Sequence, residues 1–193
     1  VLFRSTANGK QLPWRRDLRD MYSLNLDVPE GTSALQLEFQ FLSPGEEGGG
    51  LYGATGSATP KLVDIEFNQV LFYPAGYYAS RIDVQPTVTL PRDWKFASAL
   101  DVGEQSGAQV SFKPVSLEKL VDSPMVAGEY FKSVPLSTDA KGPVTLDIVA
   151  DDPGNLKLSD KQEAQHKALA VQAVKLFGAR HYAHYNFLLT LSD

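Results

Sequence analysis

Apolar and polar residues alternate along most of this chain. Tyr22, Leu24, Leu26 and Val28 are spaced by polar residues, and Leu35, Leu37, Phe39 and Phe41 repeat the pattern after Pro29-Glu30-Gly31. That period of two belongs to half-buried strands, and the short turn between the runs predicts neighbouring strands with one wet face. Upstream, Asn8-Gly9 predicts a type I′ hairpin pairing the residues around Leu2 and Phe3 with Leu12 to Trp14. Leu62 to Tyr73 is strongly apolar and stops at Pro74-Ala75-Gly76. Ile82, Val84, Val88 and Leu90 alternate around Pro86, which predicts a sheet edge or a bulge. Pro91-Arg92-Asp93 and Gln105-Ser106-Gly107 read as turns, Ser116 to Val121 as one helical turn, and Met125 to Phe131 as a strand. Short strands at this spacing predict a mainly β fold, an antiparallel β-sandwich-like domain.

The period changes in the last fifth. Val144, Leu146 and Ile148 alternate with Thr145 and Asp147, and Asp151-Asp152-Pro153-Gly154 breaks the strand. Ser159 and Gln162 form a capping box, so a helix starts there. Leu169, Ala173, Leu176 and Phe177, with Ala170 and Val174 beside them, give its expected core face, and Gly178 sits at the C′ position that ends it. Tyr185, Phe187, Leu189 and Leu191 alternate in a final strand that Leu188 makes apolar on both faces, as in the middle of a layered domain. The helix and strand read as the start of a further domain.

Three segments follow: an N-terminal β domain at 1–134, a linker at 135–143 crowded with Pro, Ser, Thr and Gly, and the start of a second domain at 144–193. The first strands of the β domain are expected to lie upstream, since the chain begins with Val1 rather than Met, and the second domain is expected to continue beyond Asp193. Ser43 to Thr59, with Gly48-Gly49-Gly50, reads as a surface loop; a substrate-side lid is the functional alternative.

Composition narrows the function more by exclusion than by indication. The 193 residues are 43% hydrophobic and 21% charged, ordinary for a globular protein. A formal charge of −5 argues against nucleic acid as a partner. No run reaches the roughly 18 apolar residues of a membrane span. Cysteine is absent, which removes disulfides and thiolate metal sites.

Candidate chemistry is sparse. A hydrolytic zinc site needs three protein ligands and a base near the bound water. His166, His181 and His184 are the only histidines; His181-x-x-His184 with Asp151 or Asp152 is the one conceivable clasp, against the plainer reading that these histidines pack at an interface. No Gly-x-Ser-x-Gly elbow and no P-loop ending occur. Arg15, Arg16 and Arg19 interleave with Asp17 and Asp20; this reads as a solvated, self-paired loop rather than a phosphate site. Asp151-Asp152 and Glu46-Glu47 lie in expected loops, where solvation is the plain reading.

Several segments carry a resemblance: Ala58 to Leu62 (ATPKL), Asn68 to Gly76 (NQVLFYPAG), Leu120 to Phe131 (LVDSPMVAGEYF), Leu146 to Pro153 (LDIVADDP) and Leu176 to Asp193 (LFGARHYAHYNFLLTLSD). Together they resemble the glycyl aminopeptidase family of zinc metallopeptidases, over most of the chain. The resemblance implies an N-terminal β domain, a thermolysin-like catalytic domain and a PDZ domain, with the final helix and strand here opening the catalytic domain. It also implies zinc in the parent enzyme, a peptide substrate with Gly or Ala at its N-terminus, and the rest of the catalytic domain and the PDZ domain as partners in cis. The family's Gly-Leu-Glu-His stretch and His-Glu-x-x-His zinc helix do not occur in these residues, so the segment is expected to be inactive and to hold no cofactor. In the related clan a polar side chain of the β domain reaches the substrate amine shortly before an aromatic-Pro turn; Asn68, Gln69 and Tyr73-Pro74 resemble such a segment, at a spacing that differs from the clan's usual one, and become the substrate-binding candidates, with Tyr77 and Tyr78 of lower weight.

Two other classes stay open: a non-catalytic β-sandwich module binding peptide or glycan, and a structural scaffold. The compartment follows from what precedes Val1: periplasmic or secreted with a signal peptide, cytoplasmic without one.

Overall fold

The computed structural model describes residues 3–42, 58–139 and 142–192. The fold is mainly β: sixteen strands and two α-helices among the described residues. Contacts divide it into residues 1–42 and residues 43–193.

In the first unit, β1 (Phe3–Ala7) turns into β2 (Lys10–Gln11) through Asn8 and Gly9, whose φ values of 50° and 75° are those of the expected I′ turn. Ala7 pairs with Lys10 and Thr6 with Gln11, and the Ser5 carbonyl accepts from the Leu12 N–H, so the hairpin closes tighter than the sequence suggested. β3 (Trp14–Arg16) pairs with β4 (Leu24–Leu26), and β5 (Leu35–Phe39) pairs antiparallel with β1 along all five residues. The two alternating runs expected to be neighbours therefore belong to different sheets. Hydrophobic period fixes which face of a strand is dry; it does not choose the partner strand.

In the second unit, β6 (Leu62–Ile65) runs into a 3-10 turn at Phe67–Gln69, so the long apolar run to Tyr73 is a strand only in its first part. A second 3-10 turn, Ala79–Arg81, leads to β7 (Asp83–Val84), and Pro86 separates it from β8 (Thr87–Thr89), the interruption a residue without an N–H imposes. β9 (Lys95–Ser98), β10 (Val102–Ser106), β11 (Gln109–Phe112) and β12 (Val115–Ser116) follow. The helical turn α1 (Leu117–Val121) is capped by Ser116, which accepts from the Lys119 N–H. β13 (Met125–Gly128) is buried throughout between β6 and β9. Phe67, Leu90, Leu100, Val110, Phe112, Leu117, Leu120, Met125 and Ala127 make the largest core.

The chain then builds a mixed sheet in the order β14 (Tyr130–Ser137), β15 (Val144–Ala150), β16 (Tyr185–Leu191), antiparallel then parallel. The segment 135–143, expected as a linker, is instead the end of β14 and the connection into β15. Pro135 pairs with Thr145 and Ser137 with Val144, with a register shift between them. Pro135 is tolerated there because β14 is an edge strand and its ladder is already irregular. The expected roles of β15 and β16 also exchange. β15 is the buried centre of the sheet, while β16 is half-buried at its edge. Leu146, Ile148, Val149 and Ala150 are at most 2% exposed.

The crossover between these parallel strands is α2 (Asp160–Phe177). It begins at the full Ser159/Gln162 capping box and ends at Gly178 with φ 68°. Only the small-residue part of its expected core face turns inward, with Ala173 and Val174 half-buried beside Ala170. Ala170 is buried against Val134, Leu136, Val144, Leu146 and Ile148, whereas Leu169, Leu176 and Phe177 are 49%, 78% and 72% exposed. The helix is turned so that the small Ala170 sits where it meets the sheet, which lets the backbones approach. A third core joins the two layers: Leu62, Ala97 and Val126 of the β6–β13–β9 sheet pack on Val149 of β15.

Candidate functional site

β6 and the turn after it carry the polar candidates. Side chains of a strand alternate between faces, so Val63 and Ile65 join Phe67 at the largest core, while Leu62 packs in the inter-sheet core and Asp64 and Glu66 follow it along that face. Asp64 pairs with Val126 of β13 and is half-buried at the rim of that core. Burial in an apolar setting penalises its charged form, and the Glu66 carboxylate penalises it further, so its pKa rises to about 6.

Asn68 and Gln69 occupy the 3-10 turn that Glu66 precedes; the Gln69 N–H donates to the Glu66 carbonyl at 2.9 Å. Asn68 is exposed and Gln69 is half-buried. Tyr73 is 59% exposed, beyond the packed Val70 and Leu71. Two carboxylates and two amides thus lie within six successive residues, anchored by buried Leu62 and Phe67. Sequence reading named the amides and Tyr73 and missed the carboxylates. Their signal was present in the Leu62-Asp64-Glu66 alternation, hidden inside an otherwise apolar run.

Tyr77 and Tyr78 are 68% and 74% exposed, and the Arg81 guanidinium lies 5.5 Å from the Tyr78 ring centre. A separate open cleft of about 460 Å³ is lined by Leu90, Arg92, Trp94, Gln105 and Val110 among others, and shares no residue with the β6 candidates.

The conceivable metal clasp does not assemble. His166 Nδ1 meets the Gln162 carbonyl one helical turn earlier, at 2.8 Å. His184 lies between Asn186 and Asp101, and the Asp151 carboxylate accepts from the Ser192 hydroxyl. Among the described residues no group of three or more His, Cys, Asp or Glu could hold a metal ion. The described side chains therefore do not fit a zinc ion.

The Arg/Asp cluster is self-paired. Arg15 makes a bidentate pair with Asp27 at 2.9 and 3.2 Å. Asp17 accepts from the Arg19 and Asp20 N–H groups, and Asp20 from the Tyr22 N–H and the Ser23 hydroxyl. Those bonds favour the charged forms and hold both carboxyls below their usual range. The Ser43 to Thr59 loop lies outside the described residues except for Ala58 and Thr59, and Ala58 forms an isolated antiparallel bridge with Val63. No helix among the described residues is long and apolar enough to cross a membrane.

The fold is similar to that of a solved structure, an aminopeptidase N family protein from Idiomarina loihiensis, with a TM-score of 0.67 at 10% identity. The match covers 96% of this chain and 30% of that one, so the chain spans less than a third of its length. No curated protein matches. The family model of the peptidase M61 N-terminal domain matches residues 2–129, from β1 through β13. Two thirds of the sequence lies within that match, and the chain belongs to the peptidase M61 N-terminal domain family.

Proposed function

We propose that this chain is the N-terminal, substrate-orienting portion of an M61-type zinc aminopeptidase that removes Gly or Ala from peptide N-termini. The supporting observation is the polar edge of β6 and its turn. A peptide N-terminus is an ammonium, which is best held by carboxylates and amide oxygens fixed on a rigid element. Asp64, Glu66, Asn68 and Gln69 supply these groups, and Tyr73 supplies an aromatic wall. An ammonium placed there would favour the charged form of Asp64, offsetting the burial that raises its pKa to about 6.

In this reading the chain binds and orients; it breaks no bond. Zinc, when bound in the parent enzyme, would polarise the scissile carbonyl and activate water. The residues that hold it belong to another part of that enzyme, as does any PDZ domain. A change of domain at β14 is consistent with a family match that ends at residue 129 and a mixed sheet that begins at Tyr130.

The test is Gln69→Ala in the full-length enzyme. Loss of one charge-assisted hydrogen bond should lower kcat/KM for free-amine peptides by about 10- to 150-fold, or roughly 1.5–3 kcal/mol. Melting should not change. An unaltered kcat/KM would remove Gln69 from the substrate site.

A further inference from the structure

The polar groups around His184 form a chain that crosses from one sheet to the other. Asp147, 3% exposed at the centre of β15, accepts from the Thr145 hydroxyl at 2.9 Å and from Asn186 Nδ2 at 2.8 Å. Asn186 Nδ2 also donates to Thr145 Oγ1 at 2.9 Å. Parallel pairing of Thr145 with Asn186 brings the three together. The carboxylate can only accept, and the threonine proton is already given to it, so Asn186 must present its NH₂ to this pair. Its Oδ1 is thereby turned toward His184 Nδ1, 3.0 Å away. The other ring nitrogen, Nε2, stands 3.3 Å from the Asp101 carboxylate, between β9 and β10.

Both nitrogens of His184 thus face oxygens that can only accept. A neutral imidazole has one N–H and can serve one of them; the imidazolium serves both. We propose that His184 is a proton-operated clasp, which ties the β14–β15–β16 sheet to the β9–β10 corner when protonated and releases that corner when neutral.

Which bond is lost follows from burial. The Asn186 side chain is half-buried and locked by buried Asp147, so leaving its oxygen unpaired is the costlier outcome. Asp101 is half-exposed, and water can replace its partner. On losing its proton to solvent, His184 therefore keeps Nδ1–H on Asn186 and gives up Asp101. The charged groups facing the ring are Asp101 and, behind it, Lys113 at 3.9 Å from the Asp101 carboxylate; from β15 it is Asp147, through Asn186. Lys113 remains as a weak partner for Asp101 after release. The fold thus contains a pH-sensitive joint between its two layers.

The test is a double-mutant cycle on the 193-residue chain with His184→Asn, which keeps a donor near the Nδ1 position, and Asp101→Asn. Unfolding is followed at pH 5.5 and pH 8. Asp64, with a pKa of about 6, changes charge between these two pH values, and the cycle cancels its contribution because it is common to all four proteins. The expected coupling is up to about fivefold in the unfolding equilibrium constant at pH 5.5, the upper range for a partly exposed pair, and none at pH 8. Coupling that is equal at the two pH values, or absent at both, overturns the clasp. Imidazole ¹⁵N spectra of the unmodified chain give a second readout that does not depend on variant folding. Nδ1–H as the surviving tautomer at pH 8 supports the assignment, and Nε2–H overturns it.

Discussion

Lys61 Nζ donates to the backbone carbonyl of Asp151, ninety residues further on, at 3.0 Å, and lies 5.2 Å from the centre of the Tyr130 ring. Lys61 immediately precedes β6, and Asp151 immediately follows β15. One side chain therefore ties together the two layers that Leu62 and Val149 join through their core. Its aliphatic stem can lie along the sheet while the ammonium reaches a carbonyl that the strand ladder leaves over. Lys61→Met keeps the stem and removes the donor. The expected loss is about 1 kcal/mol, or roughly 2–4 °C in Tm, measured by thermal unfolding near neutral pH.

Asp64 predicts an unusual pH dependence. Its carboxyl has a raised pKa of about 6 in the folded chain against 3.8 for the free group, so it holds its proton more tightly when folded. Between about pH 4 and pH 6 the folded state binds more protons than the unfolded one, and this group's contribution to stability falls as pH rises. Above pH 6 the penalty is complete and constant. Asp64→Asn removes it. The variant should melt about 2–4 °C above the parent at pH 8, since solvent screening of a half-exposed carboxyl reduces the penalty to the order of 1 kcal/mol. Near pH 4 the two should converge. A difference that grows toward acid pH would contradict the burial argument.

The features legible in the sequence are those decided within a few residues. Asn8-Gly9 specified its turn through two positive φ values, Pro86 its strand break, and Ser159, Gln162 and Gly178 both ends of α2. What the sequence could not supply depends on long-range pairing. β5 chose β1 over β4, and β15 rather than β16 took the centre of its sheet. The candidate site divides in the same way. Asn68, Gln69 and Tyr73 are visible as a local motif, whereas the Asp147–Asn186–His184–Asp101 chain exists only once a parallel register has set Thr145 beside Asn186. The sequence places Ala170 on the inward face of α2 but not the exposure of Leu169, Leu176 and Phe177, because how far the helix rolls on the sheet depends on the close contact at Ala170.

That capping box gives a local test of α2. The Ser159 hydroxyl accepts from the Gln162 N–H, and the Gln162 side chain accepts from the Ser159 N–H at 3.0 Å. Ser159→Ala leaves the first turn with an unmet donor and should cost about 1 kcal/mol. Hydrogen exchange should locate the effect: amides of the first turn of α2 should exchange faster, with those of β13 unchanged. Uniform acceleration across both would mean that the helix start is not a local feature.

The exposed flank of α2 sets the last expectation. Leu169 and Leu176 project from the same side of the helix, about two turns before its end and in its last turn, and Phe177 ends it, all about half or more exposed. Ala170 shows that contact with the sheet is already met by another residue of the helix. Large apolar groups left exposed along one helix favour association between molecules. The 193-residue chain should therefore self-associate with rising concentration in sedimentation velocity. Replacing Leu169, Leu176 and Phe177 together with Gln should suppress that association while leaving Tm within about 2 °C, because exposed positions contribute little to the folded core. Association that persists in the triple variant would place the contact elsewhere, and a large fall in Tm would mean that these side chains are covered within the folded chain.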